Sequence, residues 1–149
     1  MLRLDRVLVS VDFSPASPEV LATVGVLNLS GGSTVLLVHV VPDLVSAAAA
    51  YVKDPQIRQV QRNLEARAGQ MLEELAAANL KAGCSWEAVV GRGDAARCIL
   101  KLARESRTNL IVLGNSDQKK EAGIRFGSTA EKVVRSAPCP VLIVPVGGI

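Results

Sequence analysis

NLIVLGNSDQKKEAGIRFGST, residues 109–129, decides how the rest of the chain is read. The apolar run Leu110-Ile111-Val112-Leu113 stops at Gly114, a charged polar loop follows, and Gly127-Ser128-Thr129 opens a segment with helical spacing. The order is strand, loop of phosphate size, helix start. Gly127 leaves room for backbone to approach a ligand, and the free N–H groups of the helix behind it suit an anion. Ser128 with Glu131 three residues on is also a capping box, so the Ser128 hydroxyl either caps its own helix or faces a phosphate. Lys119, Lys120 and Arg125 can attract phosphate oxygens, although a charge run in a loop otherwise reads as a solvated face.

Outward from this stretch, strands and helices alternate. Downstream, residues 128–136 read as a helix with Val133 and Val134 inward, and residues 140–145 as the last strand. Upstream, Gly91-Arg92-Gly93-Asp94 is a turn with Asp94 as N-cap, and Ile99, Leu102 and Ala103 form the inner face of the helix after it. Before that turn Cys84, Trp86, Ala88 and Val90 alternate with Ser85 and Glu87, a half-exposed strand suited to a sheet edge. Ile57, Val60, Leu64, Ala68, Met71 and Leu75 step by three or four, placing one apolar stripe on a long amphipathic helix. Residues 42–54, with their alanine run and Tyr51, show no clear period and read as a partly helical connection. Residues 34–41 form the second strand and residues 6–11 the first, which ends at Asp12. A helix then starts at either Ser14-Pro15 or Ser17-Pro18, and Gly31-Gly32 closes it.

Five strands alternating with helices call for right-handed crossovers and a doubly wound, five-stranded parallel sheet with helices on both sides, an α/β fold. Ligands of such sheets bind beyond the carboxyl ends of the strands where the winding reverses. That rim would collect Asp12, the Val40-Val41 strand end, Gly114 and Gly127. The last strand, Val141-Leu142-Ile143-Val144, is apolar on both faces yet expected at an edge, where soluble proteins cover or pair their strands. Pro140 and Pro145 bracket it.

Composition bounds the function classes. The chain has 149 residues, 49% hydrophobic and 21% charged, enough for one compact domain over residues 1–149. No apolar run approaches the roughly 18 residues of a membrane span, and no secretory signal is visible at the start, so a cytoplasmic location is expected. The net charge is only +3 and the basic residues are spread out, which does not indicate nucleic acid. Cys84, Cys98 and Cys139 are widely spaced without a C-x-x-C, suggesting buried reduced thiols and neither disulfides nor a metal site. His39, the one histidine, lies inside an apolar strand and reads as a packed, hydrogen-bonded core residue.

Taken together, VLVSVDFSPAS near the start, LLVHVV, NLIVLG and GSTAEKVVRSAPCPVLIVPV resemble the universal stress protein family over essentially the whole chain. The resemblance implies a Rossmann-like fold of the adenine nucleotide alpha hydrolase type. The family's nucleotide-binding members carry G-x-x-G, nine residues, then Gly-Ser/Thr; Gly114 and Gly127-Ser128 fall in register, and Asp117 replaces the second glycine. By the same resemblance Asp12 and Val40 would flank adenine and ribose, Leu113 and Gly114 would lie near the ribose, and Gly127, Ser128 and Thr129 would hold the phosphates of ATP or another adenine nucleotide. Asp117 adds a negative charge beside them, which Mg²⁺ could bridge or the neighbouring lysines offset. The resemblance further implies a homodimer through residues 141–144, for which the apolar edge is an independent reason.

Two functional classes follow: a nucleotide-binding regulatory domain acting through conformation or an unidentified regulatory protein, hydrolysing slowly if at all, and a nucleotide-free dimerising protein acting by contacts alone. A dedicated enzyme is the weaker option, because Asp12 and Asp117 are the general bases that can be named.

Overall fold

The computed structural model describes residues 4–27, 32–51, 53–81, 84–115 and 127–145. Five strands form one parallel sheet: β1 (Arg6–Ser10), β2 (Thr34–Val41), β3 (Ser85–Arg92), β4 (Leu110–Asn115) and β5 (Val141–Pro145), in the spatial order β3-β2-β1-β4-β5. The α/β, doubly wound reading of the sequence therefore holds. β1 is central, paired with β2 on one side and β4 on the other, and its Val7, Leu8 and Val9 have no exposed surface. Their near-continuous apolar run is what a strand covered on both faces requires.

Because strand side chains alternate between faces, the core divides into two layers. Val7, Val9, Val35, Leu37 and Val112 face α1 (Ser17–Val26) and α3 (Pro55–Asn79), meeting Leu21, Val24, Leu72 and Ala76. Leu8, Leu36, Val38, Ile111 and Leu113 face α4 (Ala95–Glu105) and α5 (Ser128–Ser136), meeting Ile99, Ala103, Ala130 and Val133. The short α2 (Leu44–Ala48) supplies the helical part of the connection before α3. Among the described residues no helix is long and apolar enough to cross a membrane.

Local chemistry sets the helix ends. Asp54 and Asp94 cap α3 and α4, their carboxylates accepting from the N–H groups of Gln56 at 2.9 Å and Arg97 at 2.8 Å. Of the two candidate starts for α1, the Ser17-Pro18 start is used, and Ser14 instead accepts from the Ala16 N–H in the preceding turn. Of the two uses open to Ser128, the capping box does not form: Gly127 is the N-cap, Ser128 is the first helical residue, and Glu131 pairs with Arg135 at 2.7 Å. Val134, expected inward, is 52% exposed beside the fully buried Val133. Gly114 lies within β4, paired with Val144, and does not end the strand.

The buried stripe of α3 is rotated by about one position from the expected one. Gln61, Ala68, Leu72 and Ala76 are buried, whereas Val60 is 53% exposed. Gln61 displaces Val60 because it does two jobs at once: Oε1 accepts from the Leu44 N–H at 2.8 Å and Nε2 donates to the Pro42 carbonyl at 3.1 Å. It ties the connection around α2 to α3 and satisfies backbone groups that are partly shielded from water. Nearby, Arg92 donates to Glu65 at 2.7 Å, and that bond holds the Glu65 carboxyl below its ordinary range.

Two stability predictions follow from these contacts. Gln61→Leu, although more apolar at a buried site, orphans the Leu44 N–H and the Pro42 carbonyl and should destabilise by roughly 2–4 kcal/mol in urea denaturation, while Val60→Gln should be close to neutral. Helix α4 ends with the Thr108 N–H bonded to the Ala103 carbonyl and the Arg107 N–H bonded to the Arg104 carbonyl, a Schellman arrangement that puts Arg107 at φ 52°. Arg107→Gly should raise the urea midpoint, with a gain of about 0.5–1 kcal/mol, because glycine adopts that conformation without the Cβ clash.

Candidate functional site

The winding reverses between β1 and β4. Ser10 and Leu113 are register partners at the carboxyl ends of these strands, yet the chain leaves β1 for one face, into α1, and enters α5 on the other. Helices α1 and α5 therefore lie on opposite faces of the sheet, and a crevice opens at the strand ends between their starts.

Its first wall is the turn after β1. Val11 continues the ladder by donating to the Val38 carbonyl at 2.9 Å, and the Asp12 carboxylate accepts from the Ser14 N–H at 2.9 Å. Between them Phe13 sits at φ 60°, a left-handed conformation that costs a non-glycine residue about 1–2 kcal/mol. Its ring lies against His39 with centroids 4.3 Å apart. The His39 Nδ1 bonds the Val11 carbonyl at 2.8 Å, and since a carbonyl only accepts, Nδ1 carries the proton. His39 is hydrogen-bonded and packed as expected, but it is half-buried at the rim and not sealed in the core.

The cleft has a volume of about 150 Å³. Val11, Val20, Leu113 and Ala130 give it apolar surface, and Ser10, Asp12, Ser14, Ser17, His39 and Thr129 bring polar groups to its lining. Of the residues singled out in the sequence, Asp12, Val40, Leu113, Gly114 and Thr129 all line it. Gly127 and Ser128 directly precede Thr129 at the start of α5 but are not part of that lining. Asp117, Lys119, Lys120 and Arg125 lie outside the described residues. Ser10, Ser17 and His39 were not anticipated as cleft residues; the signal for His39 was its place two residues before the end of β2, on the same rim as Val41.

The two helix starts at the cleft differ electrically. In α1 the Ser17 N–H is taken by the Ser14 carbonyl, and the Glu19 and Val20 N–H groups by the Ala16 carbonyl. In α5 no side chain among the described residues caps the first turn, which leaves the amides of Ser128 and Thr129 open to an outside acceptor. Gly127 has φ −66° and ψ 162°, ordinary extended backbone, and a Cβ added there would meet nothing within 4 Å. Its value is open space over those amides and not conformational freedom. Among the described residues Asp12 is the charged side chain on the cleft lining.

Comparison with known proteins agrees with this geometry. The model of the Universal stress protein family matches residues 3–145. Universal stress protein YxiE of Bacillus subtilis is 26% identical over 145 residues, covering 94% of this chain and 98% of its own. Among solved structures, hypothetical protein MJ0577 superposes with a TM-score of 0.81 at 20% identity, covering 98% of this chain and 99% of its own. A universal stress protein in complex with cAMP has a TM-score of 0.67 at 20% identity, with 97% and 99% covered, and one from Archaeoglobus fulgidus in complex with dAMP has 0.54 at 24% identity, with 96% and 98% covered. At these identities the structures speak for the shared fold, and the match along nearly the whole sequence carries the assignment: the chain belongs to the universal stress protein family.

Proposed function

We propose that this protein is a regulatory domain that binds an adenine nucleotide in the cleft between β1 and β4. One observation carries the reading: Asp12, Val40, Leu113, Gly114 and Thr129, drawn from four separate segments of sequence, line a single cleft beside the uncapped start of α5. The apolar walls suit a planar base, and free helix amides suit a phosphate. The structural neighbours in complex with cAMP and dAMP support the ligand class, since adenine and phosphate are what those two molecules share.

In this reading Asp12 and Val40 flank the adenine and ribose, Leu113 and Gly114 lie by the ribose, and Gly127, Ser128 and Thr129 receive the phosphates. The structure leaves Ser128 fit for that part, because its hydroxyl is not engaged in a cap and its side chain is exposed. ATP is the proposed ligand; the negative charge of Asp117 beside its phosphates would be offset either by a Mg²⁺ that the carboxylate helps to hold or by the neighbouring Lys119 and Lys120. The signal would pass to a partner through a homodimer joined along β5, whose Val141, Leu142 and Ile143 are only half-buried at the sheet edge.

Thermal unfolding with ATP, with and without Mg²⁺, tests the proposal, since a ligand that binds only the folded state raises Tm by mass action, about 2.7 kcal/mol at a hundredfold excess over Kd. A rise of several degrees at millimolar ATP is expected; none would leave the nucleotide-free, contact-based protein as the better account. Gly127→Val should abolish the rise while lowering the Tm of the free protein only slightly, because valine fits the backbone angles there and the space is open, leaving only the weaker capping of α5 as a cost. Asp117→Gly should enlarge the rise without Mg²⁺. A smaller rise for Asp117→Gly, seen only with Mg²⁺ present, would identify the carboxylate as a metal ligand.

A further inference from the structure

Ser17 is 3% exposed and lines the cleft, yet its hydroxyl has no hydrogen-bond partner among the described residues. A buried hydroxyl without a partner is disfavoured, and an isosteric apolar residue would serve the fold better. Its neighbours on the same wall do have partners: Asp12 accepts from Ser14, and Ser14 accepts from Ala16.

What the hydroxyl would bond follows from what surrounds it. The amides at the start of α1 are closed on their own backbone, so this wall offers no cradle for an oxyanion. Val20, one turn on from Ser17 in α1, and Leu113 and Ala130 give the same cleft its apolar surface. A neutral group that both donates and accepts, set beside an apolar slot, matches the polar edge of a flat heterocycle better than a phosphate. We infer that Ser17 is a specificity-determining residue of the cleft, its hydroxyl hydrogen-bonding the edge of the nucleotide's base and so discriminating between bases. This rests on the cleft being a nucleotide site.

The inference has an uncommon signature, because the substitution that harms binding should help folding. Ser17→Ala should leave the Tm of the free protein unchanged or raise it, while weakening ATP binding by roughly three- to tenfold in titration calorimetry, the range of one lost hydrogen bond. The preference between ATP and GTP should narrow, and 2′-deoxy-ATP should lose the same factor as ATP. Thr108, the other described hydroxyl that is buried without a partner, lies at the amino end of β4 away from the cleft; Thr108→Val should raise Tm with ATP affinity unchanged.

Unchanged ATP affinity in Ser17→Ala, when the unsubstituted protein binds ATP, would overturn the inference. So would a loss that disappears with 2′-deoxy-ATP, which would place the contact on the sugar, or a fall in the Tm of the free protein, which would mean the hydroxyl already serves the fold. Failure of the unsubstituted protein to bind either nucleotide would instead sink the nucleotide site itself, and this reading with it.

Discussion

The position of β1 between β2 and β4 is the constraint on which the rest depends. Its Val7, Leu8 and Val9 are wholly buried, each such side chain contributing roughly 1.5–3 kcal/mol, and both edges of the strand carry parallel partners. Parallel neighbours need crossovers, and crossovers keep one hand. A strand that joins the far side of β1 must therefore send its helix to the opposite face from the helix that follows β1. The crevice is not an addition to the fold; it is the gap that a reversed winding leaves at the carboxyl end of its central strands.

That logic explains which parts of the molecule were legible in its sequence. Strands buried on both faces announce themselves as apolar runs, and β1, β2, β4 and β5 were found within a residue or two of their observed bounds. The topology then brought Asp12, Val40 and Gly114 to one rim without any knowledge of side-chain positions, whereas Leu113 and Thr129 came from the family resemblance and Gly127 stands just outside the lining. Helix phase was harder. On α3 the stripe through Val60 fits the apolar pattern as well as the true one, and only the hydrogen bonds of Gln61 to residues far away in sequence choose between them. Val134 was misplaced for a related reason, since two adjacent valines on a short helix cannot both face the sheet. The cap at α5 shows a different limit: Ser128 and Glu131 have the right spacing, but Gly127 takes the cap position and Glu131 turns to Arg135.

Three local features that the fold does not favour meet at the cleft, although Thr108 keeps an unpartnered buried hydroxyl elsewhere. Phe13 holds a left-handed conformation, Ser17 keeps a buried hydroxyl without a partner, and α5 starts without a side-chain cap. Each is unfavourable alone, and each is held in place by neighbours: Asp12 braces the turn, His39 packs against Phe13, and Leu113 and Ala130 are fixed in the core. Local conflicts of this kind concentrate where a protein handles a ligand, because a group satisfied by its own fold has nothing to offer a molecule from outside.

The two edges of the sheet make the corresponding point about partners. β3 carries the exposed Ser85, Glu87 and Arg92 along its length, and Arg92 is tied back to Glu65. Charge of that kind discourages another strand from docking. β5 has neither charge nor bulge: its Val141, Leu142 and Ile143 stay half-buried, and proline bounds the pairing segment. An edge left apolar while its opposite is guarded is selective, favouring one surface for association and disfavouring the other. Because β5 pairs with β4 through Leu113–Ile143 and Gly114–Val144, a partner seated on that edge would lie one strand away from residues that line the cleft. Occupancy of the cleft and the geometry of the edge would then share the same short stretch of backbone, and that is the most direct physical route by which the proposed nucleotide could be read by the proposed dimer.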